Sequence, residues 1–110
     1  MITITIIILL LTCVISFSAF SNAKMTQDLI FYPPAITNRN QWYRFITCGF
    51  IHADFMHLAF NMYTFYLFGD IVEQAFTAIF GGIGKTLYTI LYFTSLVVCL
   101  LPTYMRHKND

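Results

Sequence analysis

At 110 residues, 58% hydrophobic and 10% charged, the chain is one domain at most. An average soluble protein is about half apolar and a quarter charged, and a fold this short lacks the core volume to hide so much apolar surface. Composition therefore excludes the ordinary soluble class and leaves an integral membrane protein. The formal charge of +1, with no cluster of Lys or Arg, excludes a surface that tracks a phosphate backbone.

Ile2 to Phe20 is nineteen residues without a charge, rich in Ile and Leu. At 1.5 Å per residue it spans roughly 28 Å, about the hydrocarbon thickness, and reads as a transmembrane helix. Ser21-Asn22-Ala23 resembles a small-residue cleavage site, so a signal peptide is the competing reading, although a basic n-region is missing. Ser21 to Asp54 reads as a polar connection with an interfacial segment. Its Pro33-Pro34 pair predicts extended loop, and Ile30-Phe31-Tyr32 and Trp42-Tyr43 supply aromatics suited to the membrane–water boundary.

A second span is expected over about 55–74, with Asp54 as its N-cap. GGIG at residues 81–84 predicts a flexible turn, and 86–105, free of charge, the third span. Gly84-Lys85-Thr86 looks like the end of a phosphate-binding loop, but the Gly required five positions earlier is Ile79, so no nucleotide is expected. Three spans put the first loop and the C-terminal tail on one side with Lys24, Arg39, Arg44, Arg106 and Lys108, which the positive-inside rule assigns to the cytoplasm.

Polar groups at membrane depth are costly and need partners or a task. His57 and Asn61, four apart, share one helix face, where an imidazole and an amide N–H can converge on one point. Two such donors in a low-dielectric site suit a developing oxyanion, at a few kcal/mol per donor. His52 falls in the turn entering the helix, positioned to bond loop backbone. The competing reading is interhelical glue, worth on the order of 1 kcal/mol. A metal at His52 and His57 lacks a third ligand. Arg44 reads as a snorkelling interfacial side chain, Gly69 as a close-packing site, Glu73 as a solvated helix-end residue, and Ser95 as a hydroxyl bonded back to its own helix. Cys13, Cys48 and Cys99, without CxxC or metal-ligand spacing, read as inert core residues.

Trp42-Tyr43-Arg44, then His52-Ala-Asp-Phe-Met-His57-Leu-Ala-Phe-Asn61, then Gly69 and Glu73 resemble the rhomboid family of intramembrane serine proteases. The resemblance implies a bundle of six or seven helices around a hydrated site, a serine nucleophile in a GxSG motif, and a base histidine on a later helix, cleaving transmembrane segments of other proteins. It implies that His57 and Asn61 stabilise the oxyanion, that His52 supports them and that Arg44 braces the first loop. It also implies an orientation opposite to that of the positive-inside rule. Tyr43 stands between Trp42 and Arg44, where the family usually joins Trp directly to Arg. None of Ser16, Ser18, Ser21 or Ser95 lies in a GxSG, and His107 is in the tail.

The expectation is an all-α membrane protein of three transmembrane helices, the N-terminal half of a rhomboid-like bundle, cut before the nucleophile and inactive by itself. Its expected partners are the lipid bilayer and substrate transmembrane helices; no cofactor, metal, nucleotide or nucleic acid is expected. Its expected location is multi-pass in a bacterial inner membrane. The rival readings are a non-catalytic rhomboid-like protein that binds client helices and an unrelated three-helix membrane subunit.

Overall fold

The structure, a computed structural model, describes residues 2–110, and its regular elements among these are all helical. In chain order they are α1 (Ile4–Phe20), α2 (Ala23–Leu29), α3 (Pro33–Arg39), α4 (Arg44–Thr47), α5 (Phe55–Phe80) and α6 (Gly84–His107), with short 3₁₀ turns at Cys48–Phe50 and Gly81–Ile83. Each start has a chemical cause. The Thr3 hydroxyl accepts the N–H of Ile6, the Asn22 side chain that of Met25 and the Asp54 carboxylate that of His57, satisfying donors that a helix N-terminus leaves free.

The Pro33-Pro34 pair corrects the extended-loop reading. Both prolines occupy the first turn of α3, where their missing N–H groups cost nothing and their fixed φ is already helical. Asn40 ends α3 in the left-handed conformation, which Asn tolerates better than most residues. The stretch 21–54 is thus a layer of short helices. Burial of Ile36 and Phe45 holds it against Tyr104 at the end of α6.

By length and hydropathy, one helical stretch among the described residues is sufficient to cross a membrane, residues 55–107, while α1 has 17 residues. That stretch folds back on itself at the glycines. Gly81 takes φ 65°, and a Cβ on Gly84 would sit 2.5 Å from the Phe76 carbonyl oxygen. Neither position accepts a side chain without backbone movement. The arms lie antiparallel, with Phe65 against Tyr92 and Phe76 against Tyr88. At 26 residues α5 is about 39 Å long and runs to Phe80, past the expected end near 74.

α1 runs antiparallel to α5, its start at Glu73 and its end near Phe55, where Phe17 meets the Phe55 ring. The chain as a whole makes a slab of 45 × 29 × 18 Å, less than two helix diameters thick. A slab so thin leaves large side chains such as Leu10, Val14, Phe60, Tyr63, Phe68, Ile71 and Ile79 open on its faces. Such surface is tolerable in lipid or against further helices, and not in water.

Candidate functional site

The N-terminal turn of α5 carries the donor pair. Asp54 is extended at the N-cap, and its Oδ1 accepts both the backbone N–H of His57 at 2.9 Å and the ring Nδ1 of His57 at 3.0 Å. These two bonds hold the Asp54 carboxyl below the usual carboxylate range. His57 is thereby tied down although 66% of its side chain is exposed. Asn61, one turn on, is exposed on the same face, and with Met56 and Phe60 the two residues line a shallow depression of about 340 Å³. The face is open in this chain.

His52 is not part of that depression. It lies in the turn before α5, where its Nδ1 is 3.2 Å from the hydroxyl of Ser16 on α1. Ser16, fully buried, gives its one proton to the Phe50 carbonyl, so the ring nitrogen is the donor in the second bond. The expected bond from His52 to loop backbone is therefore relayed, with Ser16 making the backbone contact. Burial, with the nearby His57 adding to it, disfavours the charged form of His52 and lowers its pKa. Ser16 carried no motif. Its signal was the spacing Thr5, Ile8, Thr12, Ser16, Ala19, one buried face of α1 populated by small hydroxyls.

Arg44 is 4% exposed, so the snorkelling reading is corrected. Its Nε donates to the Gln41 side chain, and its Nη1 to the carbonyls of Gln27 and Ile30, each at 2.8 Å. One guanidinium thus ties α4 to the C-terminal end of α2, while Thr47 adds a bond to the Leu29 carbonyl. Tyr43 sits against the Arg44 guanidinium, and Trp42 stacks on Phe45 and meets Tyr104. These contacts fasten the short helices that lead into α5 to one another and to α6.

Glu73 also departs from its solvated reading, being 1% exposed at the far end of the slab. Its carboxylate accepts the backbone N–H groups of Ile4 and Thr5, the Thr5 hydroxyl and the Lys85 ammonium, all at 2.8 Å. Thr5 in turn meets the Tyr88 hydroxyl at 2.8 Å. A side chain of α5 therefore caps α1 and pairs with α6, placing negative charge where the α1 dipole favours it. Gly69 makes room for this meeting: a Cβ there would be 2.9 Å from the Tyr88 hydroxyl oxygen and 3.0 Å from a Thr5 methyl.

Ser95 stands on the wall of an apolar groove between α5 and α6, with Phe65, Leu91, Tyr92 and Cys99, about 500 Å³ in volume. The hydroxyls bonded back along their own helices are those of Thr12, Thr77 and Thr89. Burial pushes the Cys48 thiol up to about 11, as befits an unreactive residue.

The Rhomboid domain family model matches residues 39–110, nearly two thirds of the chain. A 57-residue stretch is 35% identical to "Rhomboid-like protein 11, chloroplastic" of Arabidopsis thaliana, covering 46% of this chain and 20% of that protein. A 70-residue stretch is 30% identical to a Bacillus subtilis (strain 168) protein, YdcA, whose name assigns it to the rhomboid proteases; it covers 64% of this chain and 32% of that one. The chain thus spans a fifth to a third of the curated relatives it matches. No solved structure gives a significant match. The match covers Arg44, His52, His57, Asn61, Gly69 and Glu73 together, which rules out an unrelated three-helix subunit. An all-helical chain with an apolar helical stretch long enough to cross a bilayer and a Rhomboid domain over residues 39–110 is a membrane protein of the rhomboid family.

Proposed function

We propose that the chain contributes the oxyanion side of a rhomboid-type intramembrane serine endopeptidase, with His57 and Asn61 as the donors and His52 as their support. The observation that carries this reading is the shared face: two polar side chains one helical turn apart line one depression in the half of α5 that carries no Asp, Glu, Lys or Arg. Donors held at fixed positions stabilise a developing negative charge without reorganising during the reaction. In this reading α1, α5 and α6 are three spans of a multi-pass protein, such as one of a bacterial inner membrane. The helices that carry the GxSG serine and the base histidine cover the open face of α5. Nucleophilic attack needs that serine and base within hydrogen-bond reach, and no serine of these 110 residues has the motif, so this segment by itself has no turnover. The partners are the lipid bilayer and the transmembrane segment to be cut.

The test is cleavage of a fluorescent transmembrane substrate by the full-length gene product in proteoliposomes. His57→Ala and Asn61→Ala should each lower kcat by about 10²- to 10³-fold with little change in KM, the loss seen when one oxyanion donor is removed. A non-catalytic relative that holds client helices is favoured by one observation, the apolar groove of about 500 Å³ between α5 and α6. It predicts substrate capture without cleavage, unaffected by either substitution.

A further inference from the structure

The bond between Asp54 and the His57 ring has a consequence for which nitrogen of that ring can donate. A carboxylate only accepts, so the Nδ1 at 3.0 Å from Asp54 Oδ1 must carry a proton. A neutral imidazole has one N–H, and with that proton on Nδ1 the Nε2 is a bare lone pair. Bare Nε2 repels an oxyanion. Only the doubly protonated ring has an N–H on Nε2 while Nδ1 still serves Asp54.

We propose that Asp54 is a positioning residue that fixes the proton of His57 on Nδ1, so that His57 offers an Nε2–H to its ligand oxygen only as the charged imidazolium. The oxyanion part of this proposal rests on the function proposed above; the tautomer part stands on the N-cap geometry alone. The Oδ1 atom does two jobs at once, closing the first turn of α5 through the His57 backbone N–H and orienting the ring of the same residue. The other titratable group near the ring is His52 in the preceding turn. Asp54 is the one anion at the ring among the described residues that pack there, and its carboxyl is held ionised by the two N–H groups of His57. Charge at Nε2 makes the donor stronger than a neutral N–H, since a hydrogen bond with an ionised partner is roughly twice as strong.

The experiment is nitrogen-15 NMR of the full 110-residue chain, labelled at histidine and held in lipid bicelles, across the range of about pH 5 to 8 in which histidine changes charge. The three rings are assigned by His52→Gln and His107→Gln. In the wild-type chain the neutral His57 ring should show a protonated Nδ1 and a bare Nε2. Asp54→Asn keeps an N-cap oxygen but offers the ring an amide that can donate, and should turn the neutral ring to the Nε2–H form. Asp54→Ser keeps the cap with a side chain too short to hold the ring and should abolish the Nδ1 preference. Helix content followed by circular dichroism separates a lost cap from a lost tautomer. A wild-type neutral ring protonated at Nε2, or a tautomer indifferent to both substitutions, overturns the proposal. If the tautomer behaves as stated and the full-length gene product shows no turnover, the proposed function fails while the role of Asp54 in holding the ring stands.

Discussion

Glu73→Ala should be among the most destabilising single changes in this chain. The carboxylate accepts four bonds of 2.8 Å at a site 1% exposed, and their fates after its removal differ. Lys85, with 44% of its side chain exposed, can turn to water. The Thr5 hydroxyl keeps Tyr88. The backbone N–H groups of Ile4 and Thr5 lose their acceptor, and at about 1–3 kcal/mol for each orphaned donor the loss comes to about 2–6 kcal/mol. Glu73→Gln retains one acceptor oxygen and should cost about half as much. Reversible unfolding in mixed micelles, followed by circular dichroism, measures both. A loss below about 0.5 kcal/mol for Glu73→Ala, the size of an ordinary surface change, would refute the assignment of Glu73 as the cap that joins α1, α5 and α6.

Other positions carry their own expected outcomes. Gly69→Ala puts a Cβ 2.9 Å from the Tyr88 oxygen and 3.0 Å from Thr5, and should cost about 1–3 kcal/mol in the same unfolding assay, as overpacking does. Gly84→Ala meets backbone rather than side chain and should open the α5/α6 turn, read as a drop in helix content. Arg44→Lys loses the planar fork that spans Gln41, Gln27 and Ile30, so hydrogen exchange in residues 23–47 should accelerate while α5 and α6 keep their protection. The lowered pKa of His52 fixes a sign: the folded state disfavours the charged ring, so its stability contribution is complete above about pH 6.5 and is lost as the pH falls through the lower folded value. Stability measured at pH 7.5 and 5 should fall for wild type and stay flatter for His52→Gln.

The legible part of this molecule was the part governed by composition and spacing. Uncharged runs gave the long helices, GGIG gave the reversal between α5 and α6, and an i, i+4 relation placed His57 and Asn61 on one face. Long-range partners were not legible, because periodicity reports which side of a helix is apolar and not what meets it. Glu73 shows this best. Its position sixteen residues after His57 said it lay at the far end, but nothing local to residue 73 announced the N-terminus of α1, sixty-nine positions away in sequence. Arg44 was misread for a related reason: an Arg beside aromatics reads as interfacial, whereas its partners are carbonyls fourteen and seventeen residues upstream. Pro33-Pro34 failed on context, since the same residues that forbid a helix interior favour its first turn. Asp54 was readable as an N-cap. Its second bond, to the His57 ring, was not, because N-cap rules describe backbone donors only.

The central claim is that His57 and Asn61 face a hydrated pocket inside the membrane. Its most direct test is solvent access at position 61 in the full-length gene product in liposomes, with Cys13, Cys48 and Cys99 replaced by Ser and a single cysteine introduced by Asn61→Cys. Rapid reaction with a water-soluble maleimide and no quenching of an attached fluorophore by spin-labelled acyl chains are expected, with Tyr63→Cys, exposed on the opposite face of α5 at nearly the same depth, giving the opposite pattern. A cysteine at 61 that resists the maleimide and is quenched from within the acyl chains would contradict it.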